Sequence, residues 1–249
     1  MGRVILNAEN ITKTYSNRRG KNVVLDGFSL QIEEGKFYAV VGESGSGKST
    51  LLSILSGLQK PDSGRVIYGP EGIQGEIPEE SSKGISKEIS EEDSILSKYV
   101  ISDMNDDELT KLRRHDIVYA PQSQEVLPTL NVEYNIRLVD NFDKNEKAED
   151  ELTKITRLSL ILEELGISDL IEEYPSALSG GELRRLCIAR TLYAEPKVIL
   201  ADEPTNDLDK DNREILRKIF RSIADRGVSV VTVTHDEELA KVADEIISL

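Results

Sequence analysis

The chain has 249 residues, of which 38% are hydrophobic and 31% are charged, and this composition suffices for the core of one large domain. Its single cysteine excludes an internal disulfide framework and favours a reducing compartment. The formal net charge of -15 at pH 7 predicts repulsion from nucleic acid and anionic lipid, so we expect no nucleic-acid partner. No apolar run is long enough to span a bilayer, and any membrane contact should therefore run through a protein partner.

The first predicted elements are β-strands. Short strands are predicted at Val4–Ala8 and Phe28–Ile32, on either side of the turn-prone residues 16–20. The apolar run Phe37–Val41 predicts a buried strand, and the residues from Thr50 onward predict the start of a helix.

Between that buried strand and that helix, the chain carries the complete pattern G-x-x-x-x-G-K-[ST]. The motif comprises Gly42, Glu43, Ser44, Gly45, Ser46, Gly47, Lys48 and Ser49, and Thr50 follows it. Glycines let backbone N–H groups turn toward phosphate oxygens, and the following helix presents its positive end to the same anion. Lys48 adds a full charge near the β and γ phosphates, and the Ser49 hydroxyl can bind Mg²⁺. The motif predicts a nucleoside triphosphate site; the alternative is a glycine-rich turn that merely precedes a helix.

The next part of the chain is acidic. After a predicted strand at Arg65–Tyr68, residues 70–98 are rich in glutamate and serine and show little apolar periodicity. We expect an exposed, partly disordered insertion at the tip of an enlarged hairpin whose second strand is Tyr99–Ser102. A tolerated surface loop and a regulatory or partner contact are both compatible with this composition. Residues 106–114 then have helical character.

Three further apolar runs predict the strands of a buried parallel sheet: Ile117–Ala120, Lys197–Ala201 and Val228–Val233. Near-continuous apolar runs are typical of parallel strands that are covered on both faces. Residues 132–173 are mostly helical in pattern, with one apolar face. That face comprises Leu152, Ile155, Leu158, Ile161, Leu162 and Leu165. Strands that alternate with helices predict a doubly wound α/β core.

Two carboxylates, Asp202 and Glu203, directly follow the predicted strand that ends at Ala201. Such carboxylates are costly unless a cation neutralises them, and Mg²⁺ needs only one or two carboxylates besides phosphate oxygens. We therefore expect Asp202 to hold Mg²⁺ through water and Glu203 to orient or deprotonate the attacking water. The alternative is a helix cap at a strand–helix turn.

Polar residues also follow two other predicted strands, at the edge where ligands bind in open α/β sheets. His235 follows the strand that ends near Val233 and could hydrogen-bond the γ-phosphate, although a lone histidine is usually structural. Gln122 follows the strand that ends at Ala120, and its amide oxygen could reach the Mg²⁺ shell. Gln122 alone would indicate nothing.

A second small-residue helix start lies at Leu178–Glu182, ahead of a predicted helix over Leu183–Leu192. A helix start of this kind suits an anion, but the phosphate loop already serves one nucleotide. We therefore expect it to serve a nucleotide held by another copy of the chain, in a two-fold dimer with ATP at the seam. The alternative is an ordinary N-capped helix after the turn at Pro175–Ser176.

In their order and spacing, these motifs resemble the ATPase subunit of ATP-binding cassette (ABC) transporters over essentially the whole chain. The similar segments are Gly42–Thr50 (Walker A), Gln122 (Q-loop), Leu178–Glu182 (signature, LSGGE for the commoner LSGGQ), Val198–Thr205 (Walker B), Asn206–Asp209 (D-loop) and His235 (switch histidine). The resemblance implies a set of catalytic residues, which are Lys48, Glu203 as the base and His235 as the γ-phosphate sensor. It implies Mg²⁺ ligands, which are Ser49, Gln122 and Asp202.

The resemblance also implies contacts to ATP outside the phosphate loop. Tyr15 would stack on adenine; its alternative role is packing at a strand edge. Residues of the signature would contact the ATP of the opposite subunit, and these are Ser179, Gly180, Gly181 and Glu182. Asp209 would be the D-loop aspartate. The implied fold is a P-loop NTPase (RecA-like) α/β core in a single domain over 1–249, with an antiparallel β sub-domain (1–35 and 61–105) and an α-helical sub-domain (123–185).

Three segments are similar to the lipoprotein-release, macrolide-export and cell-division group of these ATPases: Leu112–Arg114, Val126–Leu130 and Tyr174–Leu178. Members of the group pair with separately encoded membrane proteins. This implies an integral membrane partner of the permease type, docked near residues 122–134, and a peripheral position on the cytoplasmic face of the cell membrane. The family usually continues past the strand at Ile246–Leu249, so we expect a shortened form, either trimmed or natural.

The function implied by the resemblance is MgATP hydrolysis by a head-to-tail homodimer that drives transport. One alternative is an ATP-dependent regulatory switch with little turnover, which the intact Glu203 and His235 disfavour. Another is a cassette ATPase that acts on ribosomes or DNA. Such proteins usually carry two cassettes or a long coiled-coil insertion, and this acidic single cassette has neither.

Overall fold

The computed structural model describes residues 2–17, 20–69, 100–142 and 150–249. The acidic segment 70–98, predicted to be an exposed insertion, lies outside the described residues, and its nature stays a prediction. The chain divides into two compact units, one of Met1–Glu34 with Glu43–Thr110 and the other of Gly35–Gly42 with Lys111–Leu249. The boundaries given above for the β and helical sub-domains also stay predictions.

Strands and helices are numbered here in chain order. The strands are β1 (Val4–Asn17), β2 (Gly20–Glu33), β3 (Phe37–Val41), β4 (Ser63–Tyr68), β5 (Ile117–Ala120), β6 (Val198–Asp202), β7 (Ser229–Val233) and β8 (Glu245–Ser248). The α-helices are α1 (Lys48–Leu55), α2 (Asp106–Lys111), α3 (Val132–Ile136), α4 (Glu151–Leu165), α5 (Gly180–Tyr193), α6 (Lys210–Asp225) and α7 (Glu237–Lys241). Shorter helical turns cover Ile101–Asp103, Leu112–Asp116, Arg137–Phe142, Ser168–Leu170 and Pro175–Ala177. In the part of the chain that the structure describes, no helix has the length and apolarity needed to cross a bilayer.

The first unit contains a three-stranded antiparallel sheet in the order β2–β1–β4. Strands β1 and β2 extend well beyond the short strands predicted at Val4–Ala8 and Phe28–Ile32, because they pair from Val4 opposite Glu33 to Asn17 opposite Gly20. Shifts of register along this pairing mark bulges, which let a long ladder continue where strict alternation of apolar and polar residues fails.

The predicted strand at Tyr99–Ser102 is wrong in its second half. Val100 forms an isolated antiparallel bridge with Ile67, but Ile101 begins a 3₁₀ turn. The backbone N–H of Asp103 donates to the carbonyl oxygen of Val100 at 3.0 Å, and this bond turns the chain away from the ladder.

The second unit is built on a five-stranded parallel sheet in the order β5–β6–β7–β3–β8. Every residue of β6 and of β7 is buried, as expected for parallel strands that are covered on both faces. Helix α6 belongs to this core through Phe220, whose ring centroid lies 6.2 Å from that of Phe37 in β3. The arrangement confirms the predicted α/β class, and it places the carboxyl ends of all five strands at one edge of the sheet.

The apolar face predicted for residues 132–173 is right only in part. Helix α4 buries four members of that face, Leu158, Ile161, Leu162 and Leu165. The prediction is wrong for Leu152 and Ile155, which are 74% and 49% exposed. The helix meets the core only from Leu158 onward, so its first two turns expose their apolar residues.

Candidate active site

The phosphate-loop residues connect β3 to α1 and depend on glycine at two positions. Gly45 and Gly47 have φ values of 83° and 101°, in the left-handed region that other residues avoid. At Gly47 a Cβ atom would also lie 2.6 Å from the carbonyl oxygen of Val24, which is closer than real contacts allow. A side chain at Gly47 would therefore displace the backbone that starts α1.

The start of α1 has the properties of an anion-binding helix end. Gly47 supplies no side-chain cap, and the first turn of the helix contains no acidic residue. Lys48 is only 6% exposed, and its Nζ donates to the carbonyl oxygen of Glu43 at 2.8 Å. The Ser46 hydroxyl is buried and has no hydrogen-bond partner among the described residues. The N–H groups of a helix start, a held ammonium and a free hydroxyl together form a ready site for phosphate oxygens.

Tyr15, predicted to stack on adenine, lies in β1 and is 40% exposed. Its hydroxyl donates to Gln59 Oε1 at 2.8 Å and lies 3.4 Å from the hydroxyl of Thr50. The structure therefore brings Tyr15 beside the last residue of the Walker A segment. These bonds hold the hydroxyl end of the side chain while the residue stays accessible.

Asp202 is the last residue of β6 and is only 5% exposed. Its Oδ2 accepts a hydrogen bond from the hydroxyl of Tyr119 at 3.2 Å, whereas its Oδ1 is buried and has no partner among the described residues. Burial and the neighbouring Asp202 carboxylate hold the pKa of Tyr119 well above its usual range, so the phenol remains a donor. A buried carboxylate oxygen without a partner is a natural ligand for a cation or its bound water.

Gln122 and Asp202 line one polar cleft of about 710 Å³, together with Tyr119 and Asp207. Two of the predicted Mg²⁺ ligands thus share a cavity, and one of them has an unpaired oxygen. The described residues contain no cluster of three or more histidine, cysteine or acidic side chains that would favour a transition metal. One carboxylate and one amide oxygen fit Mg²⁺, which retains water and takes few protein ligands.

Glu203 and His235 are brought together at the same edge of the sheet. The backbone N–H of Glu203 donates to the carbonyl oxygen of Val233 at 2.9 Å, which ties the end of β6 to β7. One carboxylate oxygen of Glu203 accepts from the backbone N–H of His235 at 3.2 Å, and the other lies 3.3 Å from His235 Nε2. Glu203 has a φ of 45°, a left-handed conformation that costs on the order of 1 kcal/mol in a residue with a side chain. Strain of this kind concentrates at functional sites.

The signature residues form a capping box at the start of α5. The hydroxyl of Ser179 accepts from the backbone N–H of Glu182 at 3.4 Å, and the Glu182 carboxylate accepts from the N–H and the hydroxyl of Ser179 at 2.7 Å each. These bonds from Ser179 hold the pKa of Glu182 below its usual value. Within one chain, these side chains therefore form an ordinary N-capped helix start, which is the alternative predicted for this segment.

Gly181 packs directly against the start of α6. A Cβ atom at Gly181 would collide with the side-chain amide of Asn212, whereas Gly180 has open space at the same place. Asn212 donates from its backbone N–H and its side chain to Asp209, the N-cap of α6, at 2.8 Å each. Asn212 Oδ1 in turn accepts from Arg185 at 2.6 Å. The signature thus packs against Asn212, which is hydrogen-bonded to Asp209 of the D-loop, within a single chain.

Sequence reasoning missed two residues that line the cleft. Arg184 is only 5% exposed and donates to the carbonyl oxygens of Pro121 and Gln122 at 3.3 and 2.8 Å, so it ties α5 to the Q-loop. Its signal is a charge on the buried face of α5, three residues after the buried Gly181. Tyr119 had a weaker signal, a hydroxyl near the end of a predicted core strand.

The sequence matches a family profile and known relatives over most of its length. A family profile described as ABC transporter matches residues 25–206. The chain is 31% identical over 250 residues to the lipoprotein-releasing system ATP-binding protein LolD of Saccharophagus degradans, covering all of this chain and 96% of the relative. It is 33% identical over 248 residues to the macrolide export ATP-binding/permease protein MacB of Brucella abortus, of which it spans 33%.

Solved structures give the same result. The cassette MJ0796, described as a bacterial ABC transporter cassette in dimeric form, superposes with a TM-score of 0.79 at 31% identity, over 98% of this chain and 94% of the other. A second dimeric structure of MJ0796 is a post-hydrolysis state bound to ADP and Pi, and it superposes equally well.

Proposed function

Because the chain belongs to the ABC transporter family and is an ATPase of that type, we propose that it hydrolyses MgATP as a homodimer to drive a separately encoded membrane protein. The observation that carries this proposal is the group at the carboxyl edge of the sheet. There a buried aspartate has an unpaired oxygen, and a strained glutamate contacts a histidine. The phosphate loop would supply the site for the triphosphate.

The phosphate loop would bind the triphosphate. Backbone N–H groups at the start of α1 and the ammonium of Lys48 would stabilise the negative charge that develops as the γ-phosphate leaves. Tyr15 would stack on the adenine, since its exposed side chain lies beside Thr50. These roles rest on the family resemblance together with the geometry of the first unit.

Mg²⁺ would be held by Ser49, Gln122 and Asp202. When bound, the cation would neutralise charge on the phosphate oxygens. Asp202 fits this role because its Oδ1 is buried and lacks a partner among the described residues. Gln122 fits it because it lines the same cleft.

Glu203 would accept the proton of the attacking water, and His235 would contact the γ-phosphate. In the structure these side chains contact each other, with His235 Nε2 at 3.3 Å from Glu203 Oε1. His235 is more than half exposed and can exchange this contact for a phosphate oxygen. That exchange would release the Glu203 carboxylate for proton transfer.

A second copy would supply the signature, with Ser179, Gly180, Gly181 and Glu182 facing the γ-phosphate of the first. ATP would then stabilise the closed dimer, and hydrolysis would release it, so that nucleotide state sets the population of the dimer. The dimeric MJ0796 structures support this assembly. Asp209 would join the same seam through its link to Gly181 by way of Asn212.

The dimer would lie on the cytoplasmic face of the cell membrane, bound to an integral membrane protein of the permease type. Support comes from MacB, in which one protein combines ATP-binding and permease functions and the matching part is a third of its length. An affinity-tagged chain, purified from detergent-solubilised membranes of its source, should retain such a protein. Purification without any integral membrane protein would contradict this part of the proposal.

The substitution Glu203→Gln tests the chemistry. Loss of the base should lower steady-state phosphate release by about 10²- to 10⁴-fold while ATP still binds, so that an ATP-dependent dimer accumulates in light scattering. Glu214→Gln, which changes a half-exposed carboxylate paired with Arg217 and Lys218 on α6, is the matched control and should leave turnover unchanged. Wild-type turnover in Glu203→Gln would reject Glu203 as the base. A monomer at saturating MgATP, even beside the membrane protein, would reject the dimer.

A further inference from the structure

The Tyr119 hydroxyl and the Asp202 carboxylate come from neighbouring strands of the sheet. Tyr119 in β5 lies opposite Leu200 of β6, and Asp202 is two residues further along β6. The two side chains therefore point to the same face and meet at 3.2 Å. Their hydrogen bond is set by the register of two parallel strands and not by a flexible loop.

This bond makes the two carboxylate oxygens of Asp202 inequivalent. Oδ2 accepts the phenolic proton, whereas Oδ1 has no partner among the described residues although it is buried. A carboxylate with one oxygen bonded has one preferred side-chain rotation, which leaves the other oxygen in one place. A phenol is also a neutral donor, so it orients the carboxylate without cancelling the charge that attracts a cation.

We propose that Tyr119 is a positioning residue for the metal: it holds Oδ2 of Asp202 so that Oδ1 faces the hydrated Mg²⁺. The proposal rests on the proposed function, in which Asp202 is a Mg²⁺ ligand. Tyr119, Asp202 and Gln122 line the same cleft, so the tyrosine shares that cleft with two of the proposed Mg²⁺ ligands. Hydrogen-bond partners of metal ligands commonly affect metal affinity in this way.

The chain provides a matched control at a distance from this cleft. The hydroxyl of Tyr193 donates to Asp140 Oδ2, also at 3.2 Å. Burial raises the pKa of Tyr193 to about 12, so that phenol too remains a donor. Tyr119→Phe and Tyr193→Phe therefore remove the same chemical group from two tyrosine–aspartate pairs.

The test is the affinity for Mn²⁺ as a probe of the Mg²⁺ site. Free Mn²⁺ is measured by electron paramagnetic resonance while the ion is titrated into protein saturated with a non-hydrolysable ATP analogue. Tyr119→Phe should weaken Mn²⁺ binding about tenfold, and Tyr193→Phe should not change it. In steady-state assays Tyr119→Phe should raise the Mg²⁺ concentration needed for half-maximal turnover, with kcat largely restored at saturating Mg²⁺.

Asp202→Asn separates this proposal from the function on which it rests. If Asp202→Asn weakens Mn²⁺ binding but Tyr119→Phe leaves it within twofold of wild type, the positioning role is overturned and the metal site stands. If Asp202→Asn has no effect on Mn²⁺, the metal site itself is rejected. An equal loss in Tyr119→Phe and Tyr193→Phe would indicate general destabilisation and would also overturn the positioning role. Phenylalanine keeps the ring, and a thermal melt of each variant checks that it is folded.

Discussion

Two tyrosine–aspartate pairs in the second unit have the same hydrogen bond and different surroundings. At Asp140 the tyrosine hydroxyl is joined by Arg137, whose Nε lies 3.1 Å from the carboxylate, and by Lys154 at 3.6 Å. At Asp202, which is only 5% exposed, the described residues provide the hydroxyl of Tyr119 and no ion pair. One carboxylate is neutralised by its own chain and the other is not.

This difference indicates which carboxylate stabilises the fold and which one takes part in function. A buried charge without a cation raises the free energy of the folded state, so a carboxylate that only stabilised the fold would have a partner. Asp140 has several and belongs to the framework around α3 and α4. Asp202 has an unpaired oxygen at the edge of the sheet where ligands bind, which is the arrangement expected if the missing charge arrives with the nucleotide.

Among the changes that test this comparison, the largest effect should come from Asp202→Asn. Loss of the metal ligand should reduce ATP turnover by about 10²- to 10³-fold, because charge stabilisation in the transition state is lost. The same change removes an unpaired buried charge, so the free energy of unfolding without nucleotide should be unchanged or higher. Phosphate release and urea unfolding measure the two quantities. A fall of about 3 kcal/mol in the free energy of unfolding, the loss expected when a buried ion pair is broken, would contradict the comparison.

Arg137→Met should show the opposite pattern. Burial lowers the pKa of Arg137, but the hydrogen bonds that it donates to Glu151 and Asp140 raise it by more, so the guanidinium is firmly charged. Its removal takes the nearest cation from Asp140 and should lower the free energy of unfolding by about 3 kcal/mol, with turnover per folded molecule unchanged. Urea unfolding and phosphate release at a temperature where the variant is folded test this pair of expectations.

An exposed ion pair provides the control for Arg137. Arg226 makes two bonds of 2.8 Å to Glu164, but its side chain is about half exposed. Arg226→Met should cost less than about 1 kcal/mol, because solvent screens the pair. If Arg226→Met and Arg137→Met lower the free energy of unfolding by the same amount, burial does not strengthen the ion pairs around Asp140.

The parts of the site that depend only on neighbours along the chain could be predicted from the sequence. The phosphate loop is one contiguous motif, and Asp202, Glu203 and His235 each follow an apolar run that ends at the ligand edge of a parallel sheet. For these residues, strand direction alone decides the location.

The remaining features depend on contacts between segments that are distant in sequence. The Tyr119–Asp202 bond requires β5 beside β6 in one register, and the collision at Gly181 requires the start of α6 against the start of α5. Exposure of Leu152 depends on where α4 meets the core, which periodicity does not report. The strand predicted through Ser102 fails for a local reason instead, since a 3₁₀ turn competes with the ladder after Val100.

The smallest effect tests a third kind of carboxylate, one that is compensated by a helix start. Glu182 accepts the N–H and the hydroxyl of Ser179, and these bonds hold its pKa below the usual value. Its ionised form therefore stabilises the fold above the unfolded pKa of about 4.3, and this contribution is lost as the pH falls through the lower folded value. Glu182→Gln should cost about 0.5 kcal/mol at neutral pH, because the neutral amide keeps part of the cap.

The pH dependence separates charge from shape at Glu182. In urea unfolding from neutral to acidic pH, the stability difference between wild type and Glu182→Gln should be largest at neutral pH. It should shrink as the pH falls from about 4.3 through the lower folded pKa of Glu182, since both side chains are neutral only below that value. A difference that stays constant over this range would show that the capping geometry matters and the charge does not. In that case a helix start would not compensate the charge of a carboxylate. Pairing with cationic side chains, as at Asp140 with Arg137 and Lys154, would then explain how this chain neutralises its acidic side chains.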